Sequence, residues 1–316
     1  MAEHDRIARF FAPLSGGEPG SFNLTDDAAF LDVPVGHRLV VTTDSVIEGV
    51  HVLPLASPAQ FARKLMRRNL SDLAAKGARP WRYFLNLHTS GAVREAWVAA
   101  FAAALAEEQQ HFGLVLAGGD STSGGERVQV TMTCLGLVTQ ADLLRSTARA
   151  GDDVYVSGSI GDAGLGLLLL QHQLQHFSGA EWLEARYHMP EPRLALGAAL
   201  HGVASACIDI SDGLLADAAQ LARASGVRLE LQRGLVPLSD AARQVVMRDA
   251  QHWAAVLSGG DDYELLFTAA TSQRPALQHI AQQLPLPISR IGAVAAGAGV
   301  TLDGAEIADH AGYEHR

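Results

Sequence analysis

The chain has 316 residues with 48% hydrophobic content, enough to bury ordinary cores and long enough for about two domains. Its net charge is −10 and its one basic cluster, Met66-Arg67-Arg68, is short, which excludes a nucleic-acid footprint. No apolar run approaches the ~20 residues that a membrane helix needs.

The charged N-terminus, MAEHDRIARFFAPLSGG, lacks an apolar core and gives no secretory signal. Cys134 and Cys207 each lie in an apolar β-like run, as small buried hydrophobes of a reducing compartment do. The expected location is therefore cytoplasmic. Lys64 and Lys76 are the only lysines, and neither follows a Gly-x-x-x-x-Gly loop, so a Walker-type phosphate loop is excluded.

In chain order, HRLVVTTDS predicts a strand over Leu39 to Thr43 with Asp44 at its C-terminal end. Ser57 as N-cap, Pro58 at the first helical position and Gly77 at the end predict a helix. The Ala-rich stretch 92–111 predicts a second. A strand to Ala117, a loop over 118–125 and a strand over 127–138 complete an α/β unit ending near residue 140. A strand over Val154 to Ser157 then leads through a glycine turn to a helix. HMPEPRLALGAALHG is a Pro-broken loop entering a helix, and ACIDISDGLLADAAQLARASGV is strand, turn and helix, closed by Gly226. VLSGGDDYELLFTA is a Gly-rich turn into a strand, and ISRIGAV is another strand. The domain boundary is placed between residues 145 and 146.

Acidic residues recur where strands end or glycine turns begin: Asp26-Asp27, Asp44, Asp120, Asp209, Asp212 and Asp261-Asp262. Singly, each is a common turn or cap residue. Together they mark the carboxyl ends of strands, where α/β folds gather ligands. Asp72 lies roughly 20° from Phe61 and from Leu65 around its helix, so it shares their inward face, unless it pairs with Arg68 or Lys76. Carboxylates that converge must take up protons or bind cations. An oxygen-only set without a His or Cys cluster suits Mg²⁺, which bridges carboxylates to phosphate. That explains how LAGGDSTSGG, a phosphate-type loop with Asp where Lys is usual, could hold an anion: through metal, assisted by the N–H groups of Gly118 and Gly119. Phosphoryl transfer is the natural chemistry of such a site.

The series TTDSVIEGVH, NLSDLAAKGA, LAGGDST, SIGDAGLGL, IDISDGLLAD and SGGDDYELLF, in order and ending in GYEH, resembles the thiamine-monophosphate kinases, of the family that includes aminoimidazole ribonucleotide synthetase. The resemblance implies two domains: an N-terminal α/β domain whose sheet pairs with its twin in a homodimer, and a C-terminal α+β domain. It implies ATP and thiamine monophosphate as substrates, with direct in-line transfer and no phosphoenzyme. Asp27, Thr42, Thr43, Asp44, Asp72, Asp120, Asp209 and Asp212 match its magnesium ligands. Gly119, Asp120, Arg145 and Ser211 match its ATP contacts, with Asp44, Asp120 and Arg145 at the reacting phosphates. His51, Asp261 and Tyr313 match its thiamine contacts. No nucleic acid or membrane partner is implied.

Two positions depart from the family pattern. Thr25 stands where a Gly-x-Gly lead usually ends, and Asp261 stands where Glu is usual. Two other readings remain: another ATP-using synthetase of the superfamily, or a catalytically lapsed nucleotide- or metal-binding regulator. A selenophosphate synthetase would need a reactive Cys near the N-terminus, and a hydrogenase-maturation relative a Cys-bearing tail. This chain has neither.

Overall fold

The structure is a computed structural model and describes residues 3–91 and 93–307. It divides into two units: residues 1–73 with 78–139, and residues 74–77 with 140–316. The division at 139/140 falls a few residues before the sequence-based boundary and places Arg145 in the second unit.

The first unit runs α1 (Glu3–Arg6), β1 (Arg38–Ile47), α2 (Pro58–Ala75), β2 (Arg79–Thr89), α3 (Glu95–Phe112), β3 (Val115–Ser123) and β4 (Gln129–Val138). Its sheet has the order β1-β4-β2-β3, with β3 parallel to β2 and the other pairs antiparallel. Alternation sorts the side chains. Val130, Met132, Cys134, Tyr83, Leu85 and Leu87 form the buried face beneath the helices. Burial pushes up both the Cys134 thiol and the Tyr83 hydroxyl. Phe61, Trp97 and Phe101 interlock α2 with α3, and a buried Arg67–Glu108 pair, Nε to Oε2 2.7 Å, adds a charged rung.

Two expectations change here. The first strand does not stop at Asp44 but runs on through Ser45, Val46 and Ile47, paired with Thr131, Val130 and Gln129. β-branched residues fit that pleated, half-buried surface. The expected loop at 118–125 is also strand through Ser123, paired with Phe84–Thr89. An extra residue, Ala117, makes a bulge between the Tyr83 and Phe84 pairings. Glycine, which reads as a loop signal, is required at 119 for packing. A Cβ there would stand 1.9 Å from the Leu85 carbonyl oxygen.

The second unit runs β5 (Asp152–Ser157), α4 (Asp162–Leu170), α5 (Ala180–His188), α6 (Leu194–Ala199), β6 (Ala206–Asp209), α7 (Leu214–Ser225), β7 (Arg228–Leu231), α8 (Asp240–Arg248), α9 (Trp253–Ser258), β8 (Leu265–Ala270), α10 (Arg274–Gln283), β9 (Ile288–Ala295), β10 (Gly299–Leu302) and β11 (Ala305–Glu306). Its seven-stranded sheet, β11-β10-β7-β9-β5-β8-β6, is antiparallel except for β10 beside β7. Val154, Val156, Ile208 and Leu266 pack with α4, α7, α8 and α9 on one face. Tyr155, Cys207, Leu265 and Phe267 pack with α6 and α10 on the other. Helices on both faces explain why β5 is buried along its whole length.

Two carboxylates pin this unit. Glu264 is fully buried and accepts from Ser157 Oγ at 2.6 Å, Arg186 Nη2 at 3.0 Å and Arg193 Nε at 2.7 Å. Asp153 accepts from Arg274 Nε at 2.7 Å and Arg290 Nε at 2.6 Å, tying α10 and β9 to β5. Hydrogen bonds from Arg274, then Arg290, hold its pKa down at about 2 against the pull of burial.

Removing either anchor gives a distinct result. Glu264→Ala leaves two arginines facing an empty buried site and is expected to cost about 3–5 kcal/mol in chemical denaturation. The Asp153 pKa is lowered on folding, so its contribution is present above the ordinary carboxylate range and lost as pH falls toward about 2. Asp153→Asn should therefore lower the melting temperature by several degrees near neutral pH, and the gap from the unsubstituted protein should close in acid.

Candidate active site

The helix that carries Asp72 is set by its first turn. Gln60 N–H donates to Ser57 Oγ at 3.3 Å and Ser57 N–H donates to Gln60 Oε1 at 2.8 Å, a reciprocal capping box. Fixed in this way, α2 presents Phe61 and Leu65 to the core and Asp72 to β1. Thr42 Oγ1 donates to Asp72 Oδ2, and Arg68 Nη2 donates to Asp44 Oδ1 at 3.4 Å. Lys76 turns instead to the carbonyls of Leu143 and Cys207, each at 3.3 Å. Thr42, Asp44 and Asp72 thus share the helix side of the sheet. Both carboxylates add to the upward shift of the Cys134 thiol, which sits opposite Thr42.

Asp120 lies elsewhere. The register aligns Ser45, Thr131, Asn86 and Asp120 in one row across the sheet, while Asp44 aligns with Met132, Leu85 and Gly119 in the next. Neighbouring rows point to opposite faces, so Asp120 faces away from the helices. It also sits on β3, the opposite edge from β1, roughly 14 Å away at three strand spacings. There it lines a cavity of about 540 Å³ together with Asp26, Asp27, Phe84, Asn86 and Gly119. Because β3 is an edge strand, main-chain groups not used by β2 face outward along this rim.

The turn ahead of Asp27 settles one departure from the family pattern. Phe22, Asn23 and Leu24 all have left-handed φ, 50°, 53° and 58°. Asn is the non-glycine residue best suited to that region. Thr25, by contrast, sits at φ −107°, where glycine is unnecessary, and its hydroxyl donates to the Phe22 carbonyl at 2.6 Å.

In the second unit, β6 ends at Asp209 and the chain turns through Ser211 and Asp212 into α7. Asp212 does not cap that helix. Gly213 occupies the cap position, and Asp217, one turn further on, accepts from Ser211 N–H at 3.0 Å and Asp212 N–H at 2.9 Å. Gly213 is required: at φ 109°, its Cβ would stand 2.8 Å from the Ser258 carbonyl carbon. The loop 259–264 closes on the same turn, with Asp261 N–H donating to the Ser211 carbonyl and Tyr263 N–H to that of Ile210, both at 2.8 Å. Burial first, then the Asp209 and Asp212 carboxylates, push the Asp217 pKa up. Such mutual repulsion is what a bound cation relieves.

Asp261 has φ 71°, which Asp tolerates better than most residues, and its Oδ1 accepts from Tyr263 Oη at 2.9 Å. The next residue, Asp262, is buried and accepts from Gly161 N–H at 2.7 Å and Ala163 N–H at 3.2 Å, joining this loop to the SIGD turn. Arg145 is exposed and its Nη1 donates to Gln220 Oε1 at 2.9 Å.

One candidate side chain is placed differently. The Thr43 hydroxyl lies on the face opposite Thr42 and Asp44, donating to the Met132 carbonyl at 3.1 Å and accepting from Thr133. Strand alternation forces this, so its side chain does not join theirs. Tyr313 lies outside the described residues. His51 follows β1, where its Nδ1 accepts from Ile47 N–H at 3.2 Å, which assigns the ring proton to Nε2.

Among the described residues, no three His, Cys, Asp or Glu side chains stand close enough to hold a metal between them. The donors fit Mg²⁺ nonetheless, because that ion needs only one or two carboxylates alongside water and substrate phosphate. Asp27 with Asp120, Asp44 with Asp72, and Asp209 with Asp212 are such pairs. Sequence reasoning named Arg68 only as an alternative partner of Asp72, and did not single out Asn86, Asp217 and Gln220. Alternation in LNLH marks Asn86, and an Asp on the buried face of LLADAAQL marks Asp217.

The chain matches the profile described as AIR synthase related protein, N-terminal domain, over residues 25–138, and that of the C-terminal domain over residues 149–304. A thiamine-monophosphate kinase of Caulobacter vibrioides is 39% identical over 303 residues, covering 95% of this chain and 86% of that one. The crystal structure of thiamine-monophosphate kinase from Stenotrophomonas maltophilia K279a superposes with a TM-score of 0.83 at 37% identity, covering 96% of each chain. The structure described as "AaThiL complexed with AMPPCP and TMP" superposes with a TM-score of 0.81 at 29% identity, covering 95% of this chain and 98% of that one. On both the sequence motifs and these full-length likenesses, the chain belongs to the thiamine-monophosphate kinase family of AIR synthase related proteins.

Proposed function

We propose that the chain transfers the γ-phosphoryl group of ATP to the phosphate of thiamine monophosphate, giving ADP and thiamine diphosphate, as a cytoplasmic homodimer. The observation that carries the reading is the cavity shared by Asp27, Gly119 and Asp120, in a chain whose full-length relatives are thiamine-monophosphate kinases. A relative solved with an ATP analogue and TMP supports the substrate pair.

In the transfer, an oxygen of the acceptor phosphate forms a bond to the γ-phosphorus, and the bond from that phosphorus to the β–γ bridging oxygen breaks. ADP leaves with the electron pair. The acceptor is already ionised near neutral pH, so positioning and charge neutralisation supply the catalysis and no strong general base is needed. Asp27 and Asp120, Asp44 and Asp72 with Thr42, and Asp209 and Asp212 are the oxygen donors that would hold Mg²⁺. When bound, the metal neutralises phosphate charge that these carboxylates would otherwise repel. Gly119 brings main chain to the phosphates, since it carries no side chain at the cavity wall. Ser211 contacts nucleotide and Arg145 meets the transferring phosphoryl group. His51 offers an Nε2–H to the substrate, while Asp261, with a carboxylate beside the Tyr263 ring, and Tyr313, with an aromatic face, suit a cationic thiazolium.

The direct test incubates the protein with ATP, Mg²⁺ and thiamine monophosphate and measures products. Equal amounts of ADP and thiamine diphosphate are expected. ADP with a different acceptor would assign a sister synthetase, and bound nucleotide without turnover a lapsed regulator. Asp120→Asn is expected to lower kcat by roughly 10²–10³-fold with an unchanged melting temperature, because an exposed cavity residue is removed and not a core one. Asp72→Asn should do the same. A lower melting temperature with normal turnover would make Asp72 merely the partner of Thr42.

The homodimer reading rests on the outer sheet face. Leu39 and Val41 are 40% and 59% exposed beside buried Leu137 and Leu135, their register partners. Light scattering should give the mass of two chains, falling to one for Val41→Asp.

A further inference from the structure

Asp217 and Gln220 are absent from every role assigned above, yet they join its parts. Asp217 is 1% exposed, and its Oδ2 receives two consecutive main-chain N–H groups, those of Ser211 and Asp212. Its Oδ1 accepts from Gln220 Nε2 at 3.4 Å. Gln220 Oε1 in turn accepts from Arg145 Nη1 at 2.9 Å. The main chain beside Arg145 is held by the same helix: Ser225 Oγ donates to the Arg145 carbonyl at 2.9 Å and accepts from Ala148 N–H at 3.2 Å.

The chemistry gives this chain of bonds one direction. Arg only donates, so Gln220 must turn its amide oxygen to Arg145. Its NH₂ then faces Asp217 Oδ1. A flipped Gln220 would set donor against donor at Arg145. We propose that Asp217 and Gln220 are positioning residues, which lock the Ser211–Asp212 turn and the Arg145 guanidinium into one geometry so that the acidic turn and the phosphate-neutralising cation act together. The proposal rests on the reading of Arg145, Asp209, Ser211 and Asp212 given above.

The test pairs turnover with binding of a non-hydrolysable ATP analogue in the presence of Mg²⁺. Gln220→Met keeps the length of the side chain and removes both polar ends. It is expected to lower kcat about tenfold and weaken analogue binding severalfold. The melting temperature and the KM for thiamine monophosphate should not change. On an Arg145→Ala background, the same substitution should have no further effect, because residues acting through one another are non-additive.

Additive losses from Gln220→Met and Arg145→Ala would overturn the relay. So would an Asp217→Asn variant that loses thermal stability with normal kcat and normal analogue affinity, since Asp217 would then be a structural cap alone. If Arg145→Ala itself leaves turnover and analogue binding unchanged, the reading of Arg145 fails and takes the relay with it. If thiamine diphosphate is never formed, analogue binding still decides the relay by the same double-variant comparison.

Discussion

The close approach of Gly119 to the Leu85 carbonyl sets the register of the first unit's sheet, and much of the candidate site follows from it. Only a residue without a Cβ lets β3 lie this near β2, because the carbonyl oxygen occupies the place of any side chain. With the pairing fixed, Asp120 falls opposite Asn86 and on the face turned away from the helices. A slip of one residue would turn Asp120 inward among Met132 and Leu85 and empty the cavity of its carboxylate. The Ala117 bulge does complementary work. It absorbs one residue between the apolar start of the strand, Leu116, and its polar end, so both halves find the correct face.

This constraint explains what was legible in the sequence and what was not. The helix over Pro58–Ala75 could be read from Ser57, Pro58 and Gly77 because capping is local chemistry, decided within four residues. The inward face of Asp72 could be read because helical periodicity carries angle directly. LAGGDSTSGG was read as a loop because its glycines have two possible causes. A turn needs glycine for its dihedral angles, while a tightly paired strand needs it for space, and composition does not distinguish them. Strand termination after Asp44 failed for a related reason: β1 continues because β4 has residues to pair with it, a non-local fact. Strand alternation also separates Thr42 from Thr43. Adjacent residues of a strand point to opposite faces, so Thr42 and Thr43 cannot both present hydroxyls to Asp72.

The acidic residues, which prompted the functional reading, prove to be several groups with separate supports. Each pair has a different electrostatic setting. Asp44 has Arg68 at 3.4 Å, so part of its charge is met by the protein itself. Asp27 and Asp120 are exposed on a cavity wall, where water screens them. Asp209 is 7% exposed and lies with Asp212 around buried Asp217, whose pKa their charges raise. Desolvation and mutual repulsion are therefore strongest in the turn of the second unit. A cation there gains the most from relieving them, and a protein holding three carboxylates in that turn without one would be stabilised by taking up a proton.

That setting gives the rigid loop contacts a purpose. Repelling carboxylates spread apart unless the backbone prevents it. Gly213 packed against Ser258, the Asp261 and Tyr263 N–H bonds to Ser211 and Ile210, and the paired bonds to Asp217 each remove one way for the turn to open. Asp262 and Glu264 then fix the other side of the same loop to the SIGD turn and to Arg186 and Arg193. Within SGGDDYELLF, Asp261 and Tyr263 thus bond through their N–H groups to the acidic turn, while Asp262 and Glu264 bond through their carboxylates to the SIGD turn and to Arg186 and Arg193. Asp261 in place of Glu fits the same frame, because a short side chain at φ 71° reaches its own Tyr263 hydroxyl and stays within the loop.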